Sequence, residues 1–467
     1  MDACLRIQKK PFFMRKFIPQ FDTMKPLKVL MIATLLVSFG ACKKKSKERS
    51  YDEIVMDTVV SYTKEIYLWN TQLPATLPGK TPTEVMTNIR QYSIEPGFSG
   101  PVDRWSFAIS KDEWNKISTG VSADFGMRVF FRSANDLRVA SADKNGPAGI
   151  AGVQRGWKIN SINGVAITDT SQSNFIVTTV YSSPTTRFNF TLPDNSTREV
   201  TLNSQVFSSN PFVIDSVYTI GANKIGYFVL NSFLGDTTQM KNRFDNVFTK
   251  FSGAGITDLV IDLRYNGGGY VLLAQYLLNY LVPGSGNNQM MFTEAYNAKY
   301  ASRFNETVLF QKKGSLNLSR IFFIVSKQSA SASELTINSI RPFMDVKIVG
   351  PTNSHGKPVG YGGYSAGPWY FFPVSFKTIN KNNEANYYNG FAPDYISADG
   401  LDKNWGDANE ACLFRTIRFI TTGSWSRLAP VDETLANEQA RLAPLNLKID
   451  APTFKGMISR KGIKKIY

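Results

Sequence analysis

The chain has 467 residues, 43% of them hydrophobic, which is enough for two or three domains with apolar cores. Its formal net charge of +16 is concentrated at the ends, because residues 1–50 carry 12 Lys/Arg against 3 Asp/Glu and residues 451–467 carry 5 Lys/Arg and no acid. The basic ends are therefore interpreted as a targeting region and a solvated tail, and nucleic-acid binding is not expected.

Residues 1–41 have the pattern of an export signal. Lysines at 25 and 28 precede an apolar core that is too short to span a bilayer, and the ending S-F-G-A-C resembles a bacterial lipobox. That resemblance implies cleavage before Cys42 and lipidation of its thiol, with residues 42–50 as a tether. The expectation is an exported protein of the cell envelope, lipid-anchored to the outer membrane on its periplasmic or surface face. An uncleaved membrane anchor is the alternative.

Residues 51–119 are predicted to form an N-terminal helical domain. Tyr51 to Trp69 has helical spacing, and Thr81-Pro82-Thr83-Glu84 opens a second helix, with proline at its first position and glutamate at its third. From Val121 onward the pattern changes to short strands. A domain boundary is therefore placed near Gly120.

Residues 120–205 are predicted to form a small β-domain. The run N-G-P-A-G-I-A-G-V-Q-R-G-W-K-I-N-S-I-N-G-V-A-I, from Asn145 to Ile167, resembles a PDZ domain of bacterial proteases. The resemblance implies that Phe125, Gly126 and Met127 form the peptide-binding loop, beside which an extended chain end adds as a strand. A β-domain that serves only as a spacer is the alternative.

Residues 206–425 are predicted to form an α/β core, followed by a tail at 426–467. The strand-like run Leu259–Leu263 leads into a glycine turn and an apolar helix, and Arg320–Val325 and Val346–Val349 are further strands. This alternation predicts βαβ units and a largely parallel sheet. The glycine turn and the turn after Val325 both leave carboxyl ends of strands, where sites of such sheets assemble.

Ser331 lies at the second of these turns, just before a helix predicted from Glu334 onward. A serine there would sit at a helix N-terminus, where free N–H groups favour developing negative charge, as an acyl-transfer nucleophile requires. The alternative is structural, because Ser331-Ala332-Ser333-Glu334 also fits a capping box.

A serine nucleophile also needs a base and an oxyanion site. The triglycine from Gly267 to Gly269 lacks the pattern of a phosphate loop, but its bare N–H groups could approach a reacting carbonyl. His355 is the one histidine of the sequence. Lys357 is the competing base, because burial would favour the neutral amine of a lysine, which can accept a proton at neutral pH.

Three motifs occur in order behind the PDZ-like segment: L-R-Y-N-G-G-G, S-A-S-A-S-E and G-P-T-N-S-H-G-K. Together they resemble the carboxyl-terminal processing proteases, the S41 serine peptidases, over roughly residues 103–420. The resemblance implies an α/β fold with the spiral β/α core of Clp-type proteases and crotonases. It also implies Ser331 as the nucleophile, Lys357 as the general base and the N–H groups of Gly268 and Ala332 as the oxyanion hole. No metal or organic cofactor is implied.

Three positions depart from the family pattern. His355 lies in a turn one residue longer than usual, so it is expected to assist or replace Lys357. Tyr361 stands where processing proteases carry a residue that orients the lysine, and its hydroxyl is the expected substitute. Trp105 stands where Tricorn-like relatives draw a catalytic histidine, which disfavours a Ser-His enzyme.

The expected function is that of an exported serine endopeptidase. It would capture extended or misfolded polypeptides on the PDZ-like domain and cleave them through an acyl-enzyme formed by a Ser-Lys dyad. The expected partners are polypeptide substrates and, through Cys42, a membrane, while the oligomeric state stays open. A catalytically impaired peptide-binding lipoprotein is the main alternative, and a lipid- or polysaccharide-binding surface protein is a third.

Overall fold

A computed structural model describes residues 49–425, 430–450 and 454–459. The predicted signal peptide and the lipidation site at Cys42 lie outside these residues. From Tyr51 onward the described residues form one compact unit. Within them, no helix combines the length and the apolar character needed to cross a bilayer.

The helices of the described residues vary from one turn to five turns in length. They are α1 (Tyr51–Ile66), α2 (Pro82–Ile89), α3 (Lys111–Thr119), α4 (Pro147–Ile150), α5 (Ser173–Tyr181), α6 (Thr237–Ala254), α7 (Val271–Leu281), α8 (Ala301–Phe304), α9 (Ala332–Ile340), α10 (Ala411–Thr422) and α11 (Pro430–Ile449). Single 3-10 turns lie at Asn70–Gln72, Arg90–Tyr92, Thr170–Gln172 and Gly284–Gly286.

The strands before the core belong mostly to the small β-domain. They are β1 (Phe107–Ser110), β2 (Val121–Asp124), β3 (Met127–Ser133), β4 (Asp136–Ala142), β5 (Lys158–Ile162), β6 (Val165–Ala166), β7 (Thr185–Thr191), β8 (Thr197–Asn203) and β9 (Gln205–Ser208).

The remaining strands belong to the core and the C-terminal segment. They are β10 (Phe212–Ile220), β11 (Asn223–Leu230), β12 (Asp258–Asp262), β13 (Gly268–Tyr270), β14 (Met290–Tyr296), β15 (Glu306–Leu309), β16 (Arg320–Ile324), β17 (Asp345–Gly350), β18 (Val359–Tyr361), β19 (Tyr364–Ala366), β20 (Trp369–Phe372), β21 (Val374–Ile379), β22 (Tyr395–Ile396) and β23 (Gly456–Ile458).

The core is organised around a six-stranded sheet in the order β10-β11-β12-β16-β17-β22. Only the β10–β11 pairing is antiparallel, so the predicted largely parallel sheet is confirmed. All five residues of β12 are buried, and Leu259 and Ile261 face one apolar cluster while Val260 faces another. A parallel sheet with both faces covered requires such continuously apolar strands.

A second six-stranded sheet, β13-β23-β18-β21-β14-β15, stands beside the first and carries the glycine turn at one edge. The small β-domain is an antiparallel sheet in the order β3-β4-β5-β7-β8, with β6 paired to β5. Its strand β3 is an edge strand, because within this sheet it pairs only with β4.

The N-terminal segment is mostly helical, as predicted, and α2 begins as its sequence indicated. Thr81 caps it by accepting from the backbone N–H of Glu84 at 3.2 Å, and the Glu84 carboxylate accepts from the backbone N–H of Lys80 at 2.7 Å. The segment also contains β1, which pairs with β20 of the core. The helical segment is thus joined to the core by a strand that helical periodicity does not indicate.

The prediction of a solvated tail is wrong for residues 454–459. Met457 and Ile458 are buried, and β23 is a central strand paired on both sides. The net positive charge of residues 451–467 suggested a solvated tail. The three residues of β23 are uncharged, and the net charge of the whole segment does not show that they are buried. Before this strand, α11 packs mainly against β3 of the small β-domain.

Candidate active site

Ser331 ends the turn between β16 and α9 and is completely buried. Its backbone φ of 60° and ψ of −103° are strained for a residue with a side chain, and such strain persists only where the surroundings enforce it. Its Oγ has no hydrogen-bond partner among the described residues. A buried hydroxyl at a helix N-terminus without a partner is available for chemistry.

Hydrogen bonds join the Ser331 turn to the loop that follows β12. Asn266 accepts through its backbone oxygen from the Ala330 N–H and from the Ser333 hydroxyl, both at 3.0 Å. The Ser329 hydroxyl donates to the backbone oxygen of Leu263 at 2.7 Å. The two turns that the sequence placed at carboxyl ends of strands therefore meet.

The glycine turn brings Gly268 against the backbone of Ala332. Gly268 has φ +105°, and a Cβ there would lie 3.0 Å from Ala332 N and 2.3 Å from Gly456 O. Only glycine fits this position, because its φ is positive and its backbone lies against two other segments of the same chain. The Gly268 N–H donates to Asn266 Oδ1 at 2.9 Å, so in this state the proposed oxyanion donor is already engaged.

Glu334 links the Ser331 turn to the loop that carries the candidate bases. One carboxylate oxygen accepts from the Ser354 hydroxyl at 2.5 Å and from Gly356 N at 2.6 Å, and the other accepts from Ser331 N and Lys357 N at 2.8 Å. The side chain is fully buried, and this burial raises the pKa of the carboxyl above its ordinary value. The sequence indicated Glu334 only as part of the alternative capping box, and it is the one charged residue within α9.

Lys357 is completely buried beside this network. Its Nζ donates to the backbone oxygen of Lys455 at 3.0 Å and lies 3.7 Å from the ring centroid of Tyr361. Burial lowers the pKa of Lys357 well below its ordinary value, although the carboxylates of Asp103 and Glu334 oppose the shift. A lysine with such a depressed pKa can be a neutral amine, and therefore a base, near neutral pH.

The side chain of His355 is held by partners other than Ser331. Its Nε2 accepts from the Trp105 indole N–H at 3.0 Å, and its Nδ1 lies 3.1 Å from the backbone oxygen of Lys327. Burial lowers the pKa of His355 to about 3, so the ring is neutral at physiological pH. Both ring nitrogens are thus occupied by groups other than the candidate nucleophile.

Tyr361 contacts the lysine through its ring. Its hydroxyl donates to the backbone oxygen of Trp105 at 2.8 Å, whereas the ring face lies against Lys357 Nζ. The expectation that the Tyr361 hydroxyl orients the lysine is therefore wrong in this state. A ring face attracts an ammonium group and limits where it can move, so the aromatic residue still restricts the position of the lysine.

A buried ion cluster supports the loop from β12 to Gly268. Arg264 donates to three carboxylates, at 2.5 Å to Asp262, 2.8 Å to Asp399 and 2.6 Å to Glu410, and its side chain is fully buried. Arg155 of the small β-domain also donates to Asp399, at 2.5 Å. These ion pairs fix the backbone that leads into the glycine turn and attach the small β-domain to the core.

The predicted peptide-binding loop lies beside the same region. Phe125 and Met127 have buried side chains, and the Gly126 N–H donates to Asp124 Oδ1 at 2.6 Å. Gly126 and Met127 line a cavity of about 270 Å³ whose wall also includes Gly267 and Phe454. This cavity therefore extends from the loop of the β-domain to the glycine turn.

Replacing Glu334 with glutamine should lower both stability and activity. The new amide N–H₂ group would stand where a carboxylate oxygen now accepts from two donors, so these hydrogen bonds would be lost. A lost hydrogen bond to a charged group costs about 1.5–3 kcal/mol. We expect a lower urea midpoint and slower hydrolysis of casein at a temperature where the variant is folded. Glu199→Gln, at an exposed ion pair with Arg187, is the control. Equal effects of the two substitutions would contradict the linking role of Glu334.

An α/β core that brings together a strained serine turn, a glycine-rich loop and a buried lysine is suited to acyl transfer. Among the residues that the structure describes, no group of His, Cys, Asp or Glu side chains could hold a metal ion.

Comparisons with known proteins agree with this class. Residues 224–397 match the model of peptidase family S41. A protein of Staphylococcus saprophyticus assigned as a CtpA-like serine protease is 24% identical over 260 residues, which are 55% of this chain and 50% of that protein. The chloroplastic C-terminal processing peptidase of Tetradesmus obliquus is 29% identical over 149 residues, 29% of this chain and 32% of that protein.

The chain thus spans half or less of the length of these two curated relatives. The solved structure of a protein of Bacteroides fragilis assigned as an S41 protease superposes with a TM-score of 0.62 at 21% identity, over 79% of this chain and 97% of that one. This similarity shows a shared fold. Residues 224–397 are therefore similar to peptidase family S41, the family that the three motifs of the sequence also resemble.

Proposed function

We propose that the protein is a serine endopeptidase that cleaves extended or misfolded polypeptides through a Ser-Lys acyl-enzyme mechanism. The observation that carries the proposal is the connection made by Glu334. Its carboxylate accepts from the backbone N–H groups of Ser331 and Lys357 at once, so the turn of the nucleophile and the loop of the base are held together. Both side chains are buried.

In the proposed reaction, neutral Lys357 takes the proton of Ser331 as Oγ bonds to the scissile carbonyl carbon. The carbonyl oxygen becomes an oxyanion, which the N–H groups of Gly268 and Ala332 receive once the Asn266 side chain has released Gly268. The lysine then gives the proton to the departing amine, and the C–N bond breaks. A water molecule, deprotonated by the same lysine, hydrolyses the ester and regenerates Ser331.

Lys357, and not His355, is assigned as the general base. Its pKa is depressed by burial, whereas both ring nitrogens of His355 have other partners. In the present state Lys357 Nζ donates to the backbone oxygen of Lys455, and this bond leaves the lone pair of the neutral amine available to the Ser331 hydroxyl.

The small β-domain is proposed to capture substrates as a PDZ domain, with Phe125, Gly126 and Met127 as its peptide-binding loop. The cavity between this loop and the glycine turn supports a path from capture to cleavage. Export and lipid anchoring through Cys42 to the outer membrane complete the proposal and rest on the sequence pattern at residues 25–42. The substrates would then be polypeptides of the cell envelope.

Substituting Ser331 by alanine should abolish hydrolysis of denatured casein, detected as new peptides by mass spectrometry after prolonged incubation. Ser285→Ala, at an exposed serine in a short turn, is the matched control and should cleave like the wild-type chain. Unchanged cleavage by the Ser331 variant would refute the assigned nucleophile. If the wild-type chain bound casein but did not cleave it, the peptide-binding lipoprotein would replace the peptidase.

A further inference from the structure

The C-terminal arm, defined as α11 together with Asp450 and residues 454–459, contacts both places where a polypeptide substrate would bind. Its helix covers an edge of the small β-domain, and its strand lies in the candidate active site. Catalysis as proposed above needs neither of these contacts. They therefore require a separate explanation.

The strand of the arm lies between the two strands that border the candidate site. In parallel register, Gly456 pairs with Gly268, Met457 with Gly269 and Ile458 with Tyr270. On its other side β23 pairs with β18, at Tyr361. An extended substrate presenting its carbonyl to Ser331 and Gly268 would use the same edges of β13 and β18 that β23 now covers.

The same segment forms hydrogen bonds to the proposed base and to the glycine turn. Lys455 accepts from Lys357 Nζ through its backbone oxygen, and the Gly456 N–H donates to the backbone oxygen of Gly267 at 2.9 Å. Gly456 O also lies 2.3 Å from the position that a Cβ on Gly268 would take. In this state the protein's own backbone lies beside the proposed base, where an extended substrate would have to pass.

The helix of the arm covers the unpaired edge of β3. Asn446 donates through Nδ2 to Phe131 O and accepts through Oδ1 from Phe131 N, both at 2.9 Å. Glu438 accepts from the backbone N–H of Ala134 at 2.8 Å. These are the donors and acceptors that an added peptide strand would use, and β3 starts at Met127 of the predicted peptide-binding loop.

Between helix and strand, Asp450 anchors the arm to the body of the protein. Its carboxylate accepts from Arg128 at 2.8 and 2.5 Å and lies 3.8 Å from Lys455 Nζ. Arg128 also donates to the backbone oxygen of Tyr265, in the loop before the glycine turn. The anchor therefore joins the arm, the β-domain and the active-site loop at one point.

We propose that the C-terminal arm is an intramolecular inhibitor that occupies the substrate positions of both the β-domain and the active site. This inference rests on the proposed peptidase activity. A polypeptide substrate displaces the arm from the edge of β3 and from the cleft between β13 and β18, and it thereby gains access to Lys357 and the glycine turn. The enzyme is then active only while a substrate competes successfully with its own chain.

Gly456→Val in the full chain tests the inhibitory role. A Cβ at Gly456 would lie 2.3 Å from the Phe454 ring and 2.7 Å from the Tyr361 ring, so the substitution disfavours the bound strand. We expect casein hydrolysis to rise by about 5- to 150-fold, the range of a typical coupling between two states. Gly100→Val is the control, because the space around its Cβ is open.

The outcomes separate this inference from the proposed function. A rise in the Gly456 variant that Ser331→Ala abolishes supports both. Equal activity of the folded Gly456 variant and the wild-type chain overturns the inhibitory role and leaves the peptidase assignment intact. No hydrolysis by either protein overturns the peptidase proposal and, with it, the inhibitory role.

Hydrogen exchange decides the question if the Gly456 variant does not fold. In full-length Ser331→Ala protein, the backbone amides of residues 456–458 should be protected without substrate and should exchange faster with saturating denatured casein. Persistent protection under those conditions would show that the strand is a permanent part of the fold, and it would overturn the proposal. This measurement does not depend on activity.

Discussion

Replacing Lys357 with methionine should reduce casein hydrolysis at pH 7 by about 10²–10⁴-fold, the contribution of a general base. Methionine preserves much of the buried side-chain volume, so the loss would report proton transfer. Lys357→Arg should be equally inactive, because a guanidinium does not lose its proton in proteins. Lys347→Met, at a partly exposed lysine on β17, is the control and should retain wild-type activity.

The pH dependence provides a second test of the same assignment. The base must be deprotonated, so kcat/KM should rise with pH through the depressed pKa of Lys357 and be lost at lower pH, where the amine is charged. An ordinary exposed lysine would place this rise near pH ~10.4. His355→Gln should leave the rising limb unchanged, since His355 has a pKa of about 3 and bonds Trp105. Loss of that limb in the histidine variant would move the base assignment to His355.

The parts of the fold that sequence reasoning predicted well are those whose pattern reports local burial. The strand predicted at Leu259–Leu263 is Asp258–Asp262, and the helix predicted from Glu334 begins at Ala332. A parallel strand buried on both faces needs an apolar run, and a helix needs a start signal. The convergence of the two turns followed from parallel topology, which places carboxyl ends at one edge.

The contacts of single side chains could not be predicted in the same way. The bond from the Ser331 N–H to Glu334 fits the capping box that the sequence offered as an alternative, but the bonds of Glu334 to residues 354–357 depend on how a loop returns to the site. For the same reason the sequence left His355 and Lys357 as alternative bases. Both are near the turn along the chain, and only their partners in three dimensions distinguish them.

The C-terminal arm escaped prediction because of its composition. Five basic residues in the segment 451–467 suggested solvation, while Gly456, Met457 and Ile458 are too few to show strand periodicity. The location of β23 depends on two strands that come roughly 100 and 190 residues earlier in the chain. Pairing over such separations leaves no signal in the local sequence.

Arg264→Met should destabilise the folded protein by about 3–5 kcal/mol, the cost of removing one member of a buried charge group. The substitution leaves the carboxylates of Asp262, Asp399 and Glu410 buried without the cation that they share. Because Arg155 reaches only Asp399, it cannot compensate the other two. We expect a lower urea midpoint together with reduced casein hydrolysis, since the cluster supports the loop that ends at Gly268.

The matched control for this substitution is Arg243→Met. Arg243 is about half exposed and lies 4.0 Å from its partner Asp215, so its ion pair should contribute at most about 1 kcal/mol. The difference between the two midpoints then isolates the effect of burial. Similar small losses of stability in both variants would mean that the carboxylates around Arg264 take up protons or water at little cost. The cluster would then not be the feature that positions the glycine turn. A large loss for Arg264 alone, accompanied by slower hydrolysis in the fraction that remains folded, ties the stability of the core to the geometry of the oxyanion donor.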